Sequence, residues 1–503
     1  MPGRSISGRV ARAWRWPSID LRSIFARIPA IAWTCVSIAI LNGVAWSIIT
    51  PPFQGRDEPD HFAYVQLLAE TGKLPRPGSE PESPAESLVL SELNQAAIRL
   101  KPQVPAISSA AQQEGLTRAV DANASSVGSG AAGVAASQPP LFYAIQTIPY
   151  ALGSGNVLWQ LQLMRLLAAL TAGLTVLLIF FFLRELLPGV PWAATAGAMC
   201  VALQPLFGFM SGTLNPDTML YAVSAGLFLC LARAFRRGLS RPLAVVTGLL
   251  IVVGFLTKLN FAGLAPGVFI GLIFVCVRDV RLKRTAAWSS FGIAAGIGIL
   301  PAALDVLLHL SSSQPVLGIA SESAAGTVEG SVFNKFSYIW QLYLPYLPGM
   351  THYFQGMSTF WDVWFTRSVG LYGWIDTQFP GWVVRVALVP TVLILLLALR
   401  EMFGRRSALR DRLPELLTYI IMTVGVFAMV GVASYDSDVI SHVEAYGDPR
   451  YLLPMLPLLG AILTLAVRGA GRRWAPATAA AIVILFLSHD VFSQLQVIAR
   501  YYA

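Results

Sequence analysis

Three carboxylates and an imidazole fall within five residues in the run Arg56-Asp57-Glu58-Pro59-Asp60-His61. The run follows a long apolar stretch, so these groups meet water at the edge of an apolar phase. A carboxylate held there can take the proton of an attacking hydroxyl. Asp57 and Glu58 are therefore the candidate general bases, and Arg56 and His61 the candidate binding groups beside them. From Pro59 onward, His61, Tyr64, Val65 and Leu68 recur with helical spacing. That predicts an amphipathic interfacial helix whose N-terminal dipole favours ionised Asp57 and Glu58. An acid ahead of proline is also an ordinary helix start, but capping accounts for one acid and not for the whole run.

Further groups recur near the ends of apolar runs. Ser137-Gln138-Pro139-Pro140-Leu141-Phe142-Tyr143 offers Gln138 and Tyr143 as hydroxyl-binding groups, or a proline-initiated helix with an aromatic belt residue. Leu214-Asn215-Pro216-Asp217 makes Asn215 and Asp217 site candidates, although the tripeptide is also ordinary turn chemistry. Lys258 is an isolated cation in or at the end of an apolar run. Intramembrane charge is expensive and usually functional, so a lipid phosphate suits it; snorkelling to the interface is the plain alternative. Arg450, in Gly447-Asp448-Pro449-Arg450-Tyr451, suits bidentate phosphate binding, or else a salt bridge with Asp448 or Glu444. Trp361 and Trp374, in the aromatic stretch Ser358 to Pro380, can stack on sugars or anchor a re-entrant loop. His352 and His442 read as structural groups. No P-loop, GxGxxG, GxSxG or HExxH occurs.

The elements that must carry these groups follow from composition. Of 503 residues 55% are hydrophobic and 13% charged, where a soluble domain carries roughly a quarter charged. Most of the solvent must be lipid. Runs long enough to span lie at 29–49, 160–183, 190–210, 214–235, 242–258, 262–277, 286–308, 383–400, 414–434, 451–468 and 474–491. The expectation is an all-α polytopic membrane protein of about eleven transmembrane helices. The first run follows Arg4, Arg9, Arg12, Arg15, Arg22 and Arg27 and reads as a retained signal anchor. Cys35, Cys200, Cys230 and Cys276 lie inside apolar runs, as small core residues do. No inverted repeat is visible.

Sidedness follows from the basic clusters, which the positive-inside rule places in the cytoplasm. With the N-terminus inside and the C-terminus outside, Arg184, Arg233–Arg241, Arg278–Arg284, Arg400–Arg412 and Arg468–Arg473 all fall inside. The net charge of +9 thus marks topology and not a nucleic-acid groove. A span at 139–153 would invert every later cluster, so that piece is expected to lie in the interface. The division is a basic N-terminus at 1–28, a transmembrane domain at 29–491 and a short outer tail at 492–503. Outer loops run over 50–158, 309–382 and 435–450. Segment 104–137, rich in Ala, Ser and Gly, is expected to be mobile or irregular, and the aromatic second loop to pack on the membrane surface.

The residues resemble the GT-C superfamily of integral-membrane glycosyltransferases. The resemblance rests on the acidic motif after the first span, the Pro-Pro-Leu-aromatic-Tyr segment and Leu163-Met164-Arg165-Leu166-Leu167. Asn215-Pro216-Asp217, the Gly-Trp stretch ending at Pro380 and Pro449-Arg450-Tyr451-Leu452-Leu453-Pro454 look like a bacterial branch described as predicted membrane proteins of unknown function. The resemblance implies inverting transfer of a sugar from a polyprenyl-phosphate donor to a glycan or lipid acceptor at the outer face of the inner membrane. Asp57 or Glu58 would be the base, Lys258 and Arg450 would hold the donor phosphate, and acceptor recognition would fall to the outer loops. Some relatives use a divalent metal; no firm ligand set is visible here, and no cofactor is certain. Three other readings compete. A transporter or flippase of a lipid-linked saccharide predicts ionisable groups along several span centres, a ligase makes His442 and Arg450 central, and a scaffold tolerates Asn at the acidic motif.

Overall fold

The computed structural model describes residues 28–75, 83–122, 124–127, 133–284, 287–312, 332–440 and 447–502. The arginines from Arg4 to Arg27, and His442 and Glu444, lie outside them. The chain is helical almost throughout. The long helices are α1 (Ala30–Ile49), α5 (Val157–Leu186), α8 (Asp217–Arg237), α9 (Arg241–Thr257), α10 (Ala265–Arg281), α11 (Ala287–Ser312), α13 (Gly381–Gly404), α14 (Leu413–Tyr435), α15 (Leu456–Gly469) and α16 (Gly471–Tyr501). Two shorter ones, α6 (Pro191–Ala202) and α7 (Pro205–Ser211), form one bent unit with a 59° break. Pro205 causes the break, since proline removes a helical donor and clashes with the preceding turn.

Among the described residues nine helices are long and apolar enough to cross a membrane, or up to ten with the bent pair. Each apolar run read from the sequence is helical. The difference from eleven lies in α9, whose 17 residues fall short of the roughly twenty that span a bilayer upright.

Contacts sort the helix ends into two groups. At one end Glu185 of α5 binds Arg236 and Arg237 of α8 at 2.9 and 2.5 Å. There Arg412 donates to the Leu186 carbonyl at 2.7 Å, and Arg468 of α15 meets Glu401 of α13 at 3.1 Å. The start of α8 and the ends of α1 and α9 converge at the other end, together with the Pro449–Met455 turn before α15. Basic clusters and candidate site residues thus occupy opposite ends of the bundle.

The loops at the site end are more ordered than the sequence suggests. Within 104–137, expected to be irregular, α3 (Ala110–Asp121) forms behind a capping box in which Ser109 and Gln112 satisfy each other's backbone N–H groups. The acidic motif opens α2 (Glu58–Thr71). This helix is not half-exposed at an interface as expected, because Pro59 and every residue from His61 to Gln66 is buried. It packs on α4 (Leu141–Leu152), which also packs on α5; at 12 residues α4 is too short to cross. In the second loop α12 (Val332–Tyr343) precedes a small antiparallel hairpin, β1 (Leu371–Tyr372) with β2 (Thr377–Gln378). Segment 492–503 is no free tail: α16 continues to Tyr501, and Arg500 donates to the carbonyls of Lys101, Pro102 and Val104.

One close approach sets the site's wall. A methyl group on Gly425 of α14 would stand 2.0 Å from the Gly263 carbonyl oxygen, and one on Gly263 2.7 Å from that of Gly425. Two small residues let α14 lie against the turn that follows Lys258. Gly425→Ala is expected to push them apart and lower stability by about 1–3 kcal/mol, as overpacking does; thermal melting in detergent checks it, with Gly292→Ala, where a methyl would meet open space, as the neutral control.

Candidate active site

Two buried ion pairs shape the acidic loop. Glu58, fully buried, accepts from Arg165 Nε at 2.8 Å and Nη2 at 2.5 Å, from the Leu214 backbone N–H at 2.9 Å and from that of Gly55 at 3.2 Å. Four donors fill the acceptor positions of a carboxylate. Arg165 also donates to the carbonyls of Ser47, Thr50 and Pro51, so one pair ties together α1, α2, α5 and the chain before α8. Arg56, likewise buried, donates to the carbonyls of Leu371 at 2.7 Å and Gly373 at 3.3 Å and pairs with Asp448. It straps the first loop to the hairpin and does not face a cavity.

Between these anchors Asp57 stands apart. It has a left-handed backbone (φ 57°) and occupies the N-cap position of α2 without a capping hydrogen bond from its side chain. Helix capping therefore does not account for it. Its side chain is 22% exposed and lines an open cleft of about 650 Å³. His61, Gln138, Lys258, Asn260, Arg450 and Tyr451 supply the polar wall; Val134, Leu259, Met429, Val430 and Ala433 supply the apolar one.

Charge in the cleft is paired throughout. Arg450 Nη2 binds Asp57 at 2.6 Å and donates to Tyr451 Oη at 2.9 Å, while Arg450 Nε lies 3.1 Å from Asp448 and 4.0 Å from Asp217. Lys258 Nζ binds Asp217 Oδ1 at 2.7 Å. The Asp448 salt bridge read from the sequence as Arg450's plain alternative is present alongside the contact with Asp57. Burial pulls the Asp57 carboxyl upward, but the charge and hydrogen bond of Arg450, together with His61 and Lys258, outweigh it and hold the group down at about 2. Asp57 is therefore ionised at any physiological pH. Burial holds His61 down at about 3, against the opposing charge of Asp57, so its ring is neutral. His61 Nδ1 lies 2.9 Å from Tyr143 Oη. Burial pushes that phenol well above its ordinary value, so Tyr143 keeps its proton and shares a hydrogen bond with the neutral ring.

The structure thus brings five of the candidates read from the sequence, Asp57, His61, Gln138, Lys258 and Arg450, into one cleft, with Asp217 directly behind its two cations. Tyr143 backs the cleft through His61 and stacks on Tyr64 at 3.7 Å. Asn215 instead shapes the turn, accepting from the Asp217 N–H at 3.0 Å and donating to the Arg56 carbonyl at 3.3 Å. Neither tryptophan reaches the cleft: Trp374 donates to the Phe53 carbonyl beneath the Arg99 guanidinium, and Trp361 stacks on Phe365. Sequence reasoning missed Tyr451 and Asn260, each next to or two residues from a flagged cation. It also missed the part played by Arg165, although a lone charge in an apolar run was as visible there as at Lys258. Asp60 accepts from the Val134 N–H at 3.2 Å and so holds one edge of the cleft. Among the described residues no three His, Cys, Asp or Glu side chains converge as a metal site requires, and Asp57 and Asp217 each already face a cation.

These contacts separate the two candidate bases. Glu58→Gln leaves Arg165 buried without its counter-charge, and breaking such a pair costs about 3–5 kcal/mol. Asp57→Asn leaves Arg450 still paired with Asp448 and faces open cleft, so it is expected to cost less and to melt above Glu58→Gln. Thermal unfolding of the two purified variants decides it; equal destabilisation would contradict the division of labour described here.

No curated protein matches the chain by sequence. The crystal structure of ArnT from Cupriavidus metallidurans bound to undecaprenyl phosphate shares 12% identity with it at a TM-score of 0.44, over 94% of this chain and 76% of that one. The Archaeoglobus fulgidus oligosaccharyltransferase in the apo form gives the same identity and score over 93% of this chain. The match spans only 56% of the oligosaccharyltransferase's own length. The family model described as "Predicted membrane protein (DUF2142)" matches residues 40–459. With most of its length matched, from within α1 to within α15, the chain belongs to the DUF2142 family of predicted membrane proteins.

Proposed function

We propose that this protein is an inverting membrane glycosyltransferase that moves a sugar from a polyprenyl-phosphate donor to a glycan or lipid acceptor. One observation carries the reading. A carboxylate held ionised, two cations and an apolar wall, drawn from four separate parts of the chain, meet in one cleft at the end of the bundle away from the basic clusters. By the positive-inside rule that end faces outward from the inner membrane. Lys258 and Arg450 then bind the donor phosphate and stabilise it as it leaves, as charged clamps do. Asp57 accepts the proton of the acceptor hydroxyl while the hydroxyl oxygen attacks the anomeric carbon from the face opposite the phosphate. The new C–O bond forms as the bond to the phosphate oxygen breaks, and the polyprenyl phosphate departs with that electron pair. Phosphate is already a competent leaving group, so no general acid is required. Gln138 and neutral His61 line the same cleft and suit sugar hydroxyls; Met429, Val430 and Ala433 suit the first isoprene units.

Carboxylates in such sites rather than span-centre charges favour transfer over transport. The test is sugar transfer by purified protein with a panel of polyprenyl-phosphate sugars. Asp57→Asn is expected to retain fold and lose roughly 10²–10⁴-fold in rate, the range of general base catalysis. Lys258→Gln should weaken donor use as well. Full activity in Asp57→Asn would remove Asp57 as base. Passage of the lipid across vesicles without transfer would replace the enzyme by a flippase.

A further inference from the structure

The ion pairs in the cleft raise a question that the proposed reaction leaves open, namely where a phosphate binds when every cation already holds a carboxylate. Lys258 is taken by Asp217 at 2.7 Å, and Arg450 is shared between Asp57 at 2.6 Å and Asp448 at 3.1 Å. Deeper in, Arg56 holds Asp448 and Arg165 holds Glu58. The incoming phosphodiester anion must add to this balanced set or displace one of its acids.

We propose that the donor phosphate displaces Asp57 from Arg450, so that the base is masked by its own ion pair until the donor is seated. The proposal rests on the glycosyltransferase reading and adds an order of events to it.

Three features of the geometry single out Asp57 as the acid that yields. It is the most exposed of the three, with 22% of its side chain accessible against 1% for Asp217 and 6% for Asp448. It alone among them lines the cleft. Its rivals are also more firmly held: Asp217, the first residue of α8, is almost fully buried against Lys258 at 2.7 Å, while Asp448 accepts from the Arg450 backbone N–H at 3.0 Å and pairs with both arginines. Asp57 has no capping bond of its own to lose.

Arg450 in turn is built to receive an anion. Its Nη1 is buried and has no hydrogen-bond partner among the described residues, and an unpaired buried guanidinium donor is costly to leave unsatisfied. A phosphate in the cleft satisfies Nη1 and, by turning Nη2 from Asp57 to itself, gains the two-pronged contact that arginine favours.

Displacement changes what Asp57 can do. The charged and titratable groups that act on it are Arg450 from the turn before α15, Lys258 after α9, Tyr143 from α4, and Arg56 and His61 beside it. Arg450 is the dominant influence keeping it acidic. Once the donor's phosphodiester anion occupies Arg450 and Lys258, that influence is weakened, while burial, which raises its proton affinity, remains. A carboxylate at about 2 is a feeble base; released, it becomes a stronger one beside the anomeric carbon. Without donor it stays paired, so water finds no active base.

Competition for Arg450 has a readout separate from catalysis. If Asp57 and phosphate compete, removing the carboxylate's charge strengthens phosphate binding while abolishing transfer. Undecaprenyl phosphate, which carries no sugar, is the probe; its dissociation constant is measured for wild type, Asp57→Asn and Arg450→Lys in the same detergent. Roughly tenfold tighter binding to Asp57→Asn, a modest share of the repulsion two charges exert at such range, is expected, with weaker binding to Arg450→Lys. Unchanged or weaker binding to Asp57→Asn, with wild type still binding and transferring, overturns the exchange and leaves the glycosyltransferase reading standing. Failure of wild type to bind the lipid at all overturns both. Thermal melting of each variant confirms that the comparison is made on folded protein.

Discussion

The Glu58–Arg165 pair is the constraint on which the site end depends. Two opposite charges removed from water are tolerable only when their hydrogen-bonding groups are satisfied, and here both are satisfied by the chain itself. Glu58 takes four donors, two of them backbone N–H groups on different segments, and Arg165 spends its remaining donors on three carbonyls in and just past the last turn of α1. Those bonds can form together in one arrangement of α1, α2, α5 and the Leu214 turn. With that arrangement fixed, the residue before Glu58 has nowhere to point but the cleft, even at the expense of a left-handed backbone. Adjacent carboxylates in the sequence thus acquire unrelated tasks.

The same economy governs the rest of the cleft. Asn215 turns the chain into α8, which sets Asp217, and Asp217 fixes Lys258 at the broken end of α9. Asp448 bridges Arg56 and Arg450 and so joins the first loop to the entrance of α15. Each acid behind the cleft holds a cation in front of it. The cleft is consequently close to neutral as a whole, with its positive groups displayed and most of its negative groups withdrawn. An arrangement of this kind admits a phosphate without a large standing field, and it keeps the one exposed carboxylate quiet through its partner.

Helix packing supplies the apolar side. Gly425 and Gly263 allow α14 to press against the turn after Lys258, which brings Met429, Val430 and Ala433 alongside the charged wall. A cleft with ions on one side and hydrocarbon on the other fits a ligand with a charged head and an isoprenoid tail. The loop helices α2 and α4 close the remaining side, with Tyr143 hydrogen-bonded to His61 and Asp60 holding the edge near Val134.

Much of this was legible in the residues. The deficit of charge and the lengths of the apolar runs determined a polytopic helical protein, because lipid leaves the backbone few other options. The basic clusters separated from the acidic motif because charge location is a sequence property. Asp57, Lys258 and Arg450 stood out because charge at the end of an apolar run is expensive. The sequence by itself did not separate Asp57 from Glu58, nor show that Arg165 was Glu58's partner, since that depends on contacts between residues more than a hundred positions apart. It offered Trp361 and Trp374 as stacking faces because aromatic composition is local, whereas their placement away from the cleft is decided by the assembled fold. Irregular composition at 104–137 hid a capped helix, and polar residues near the end of α16 hid its continuation to Tyr501, since docking on the outer loops overrides a short polar stretch. Composition and pattern determined the elements and their two ends; the pairing of buried charges, which only the assembled fold can satisfy, decided which acid is held and which is free to act.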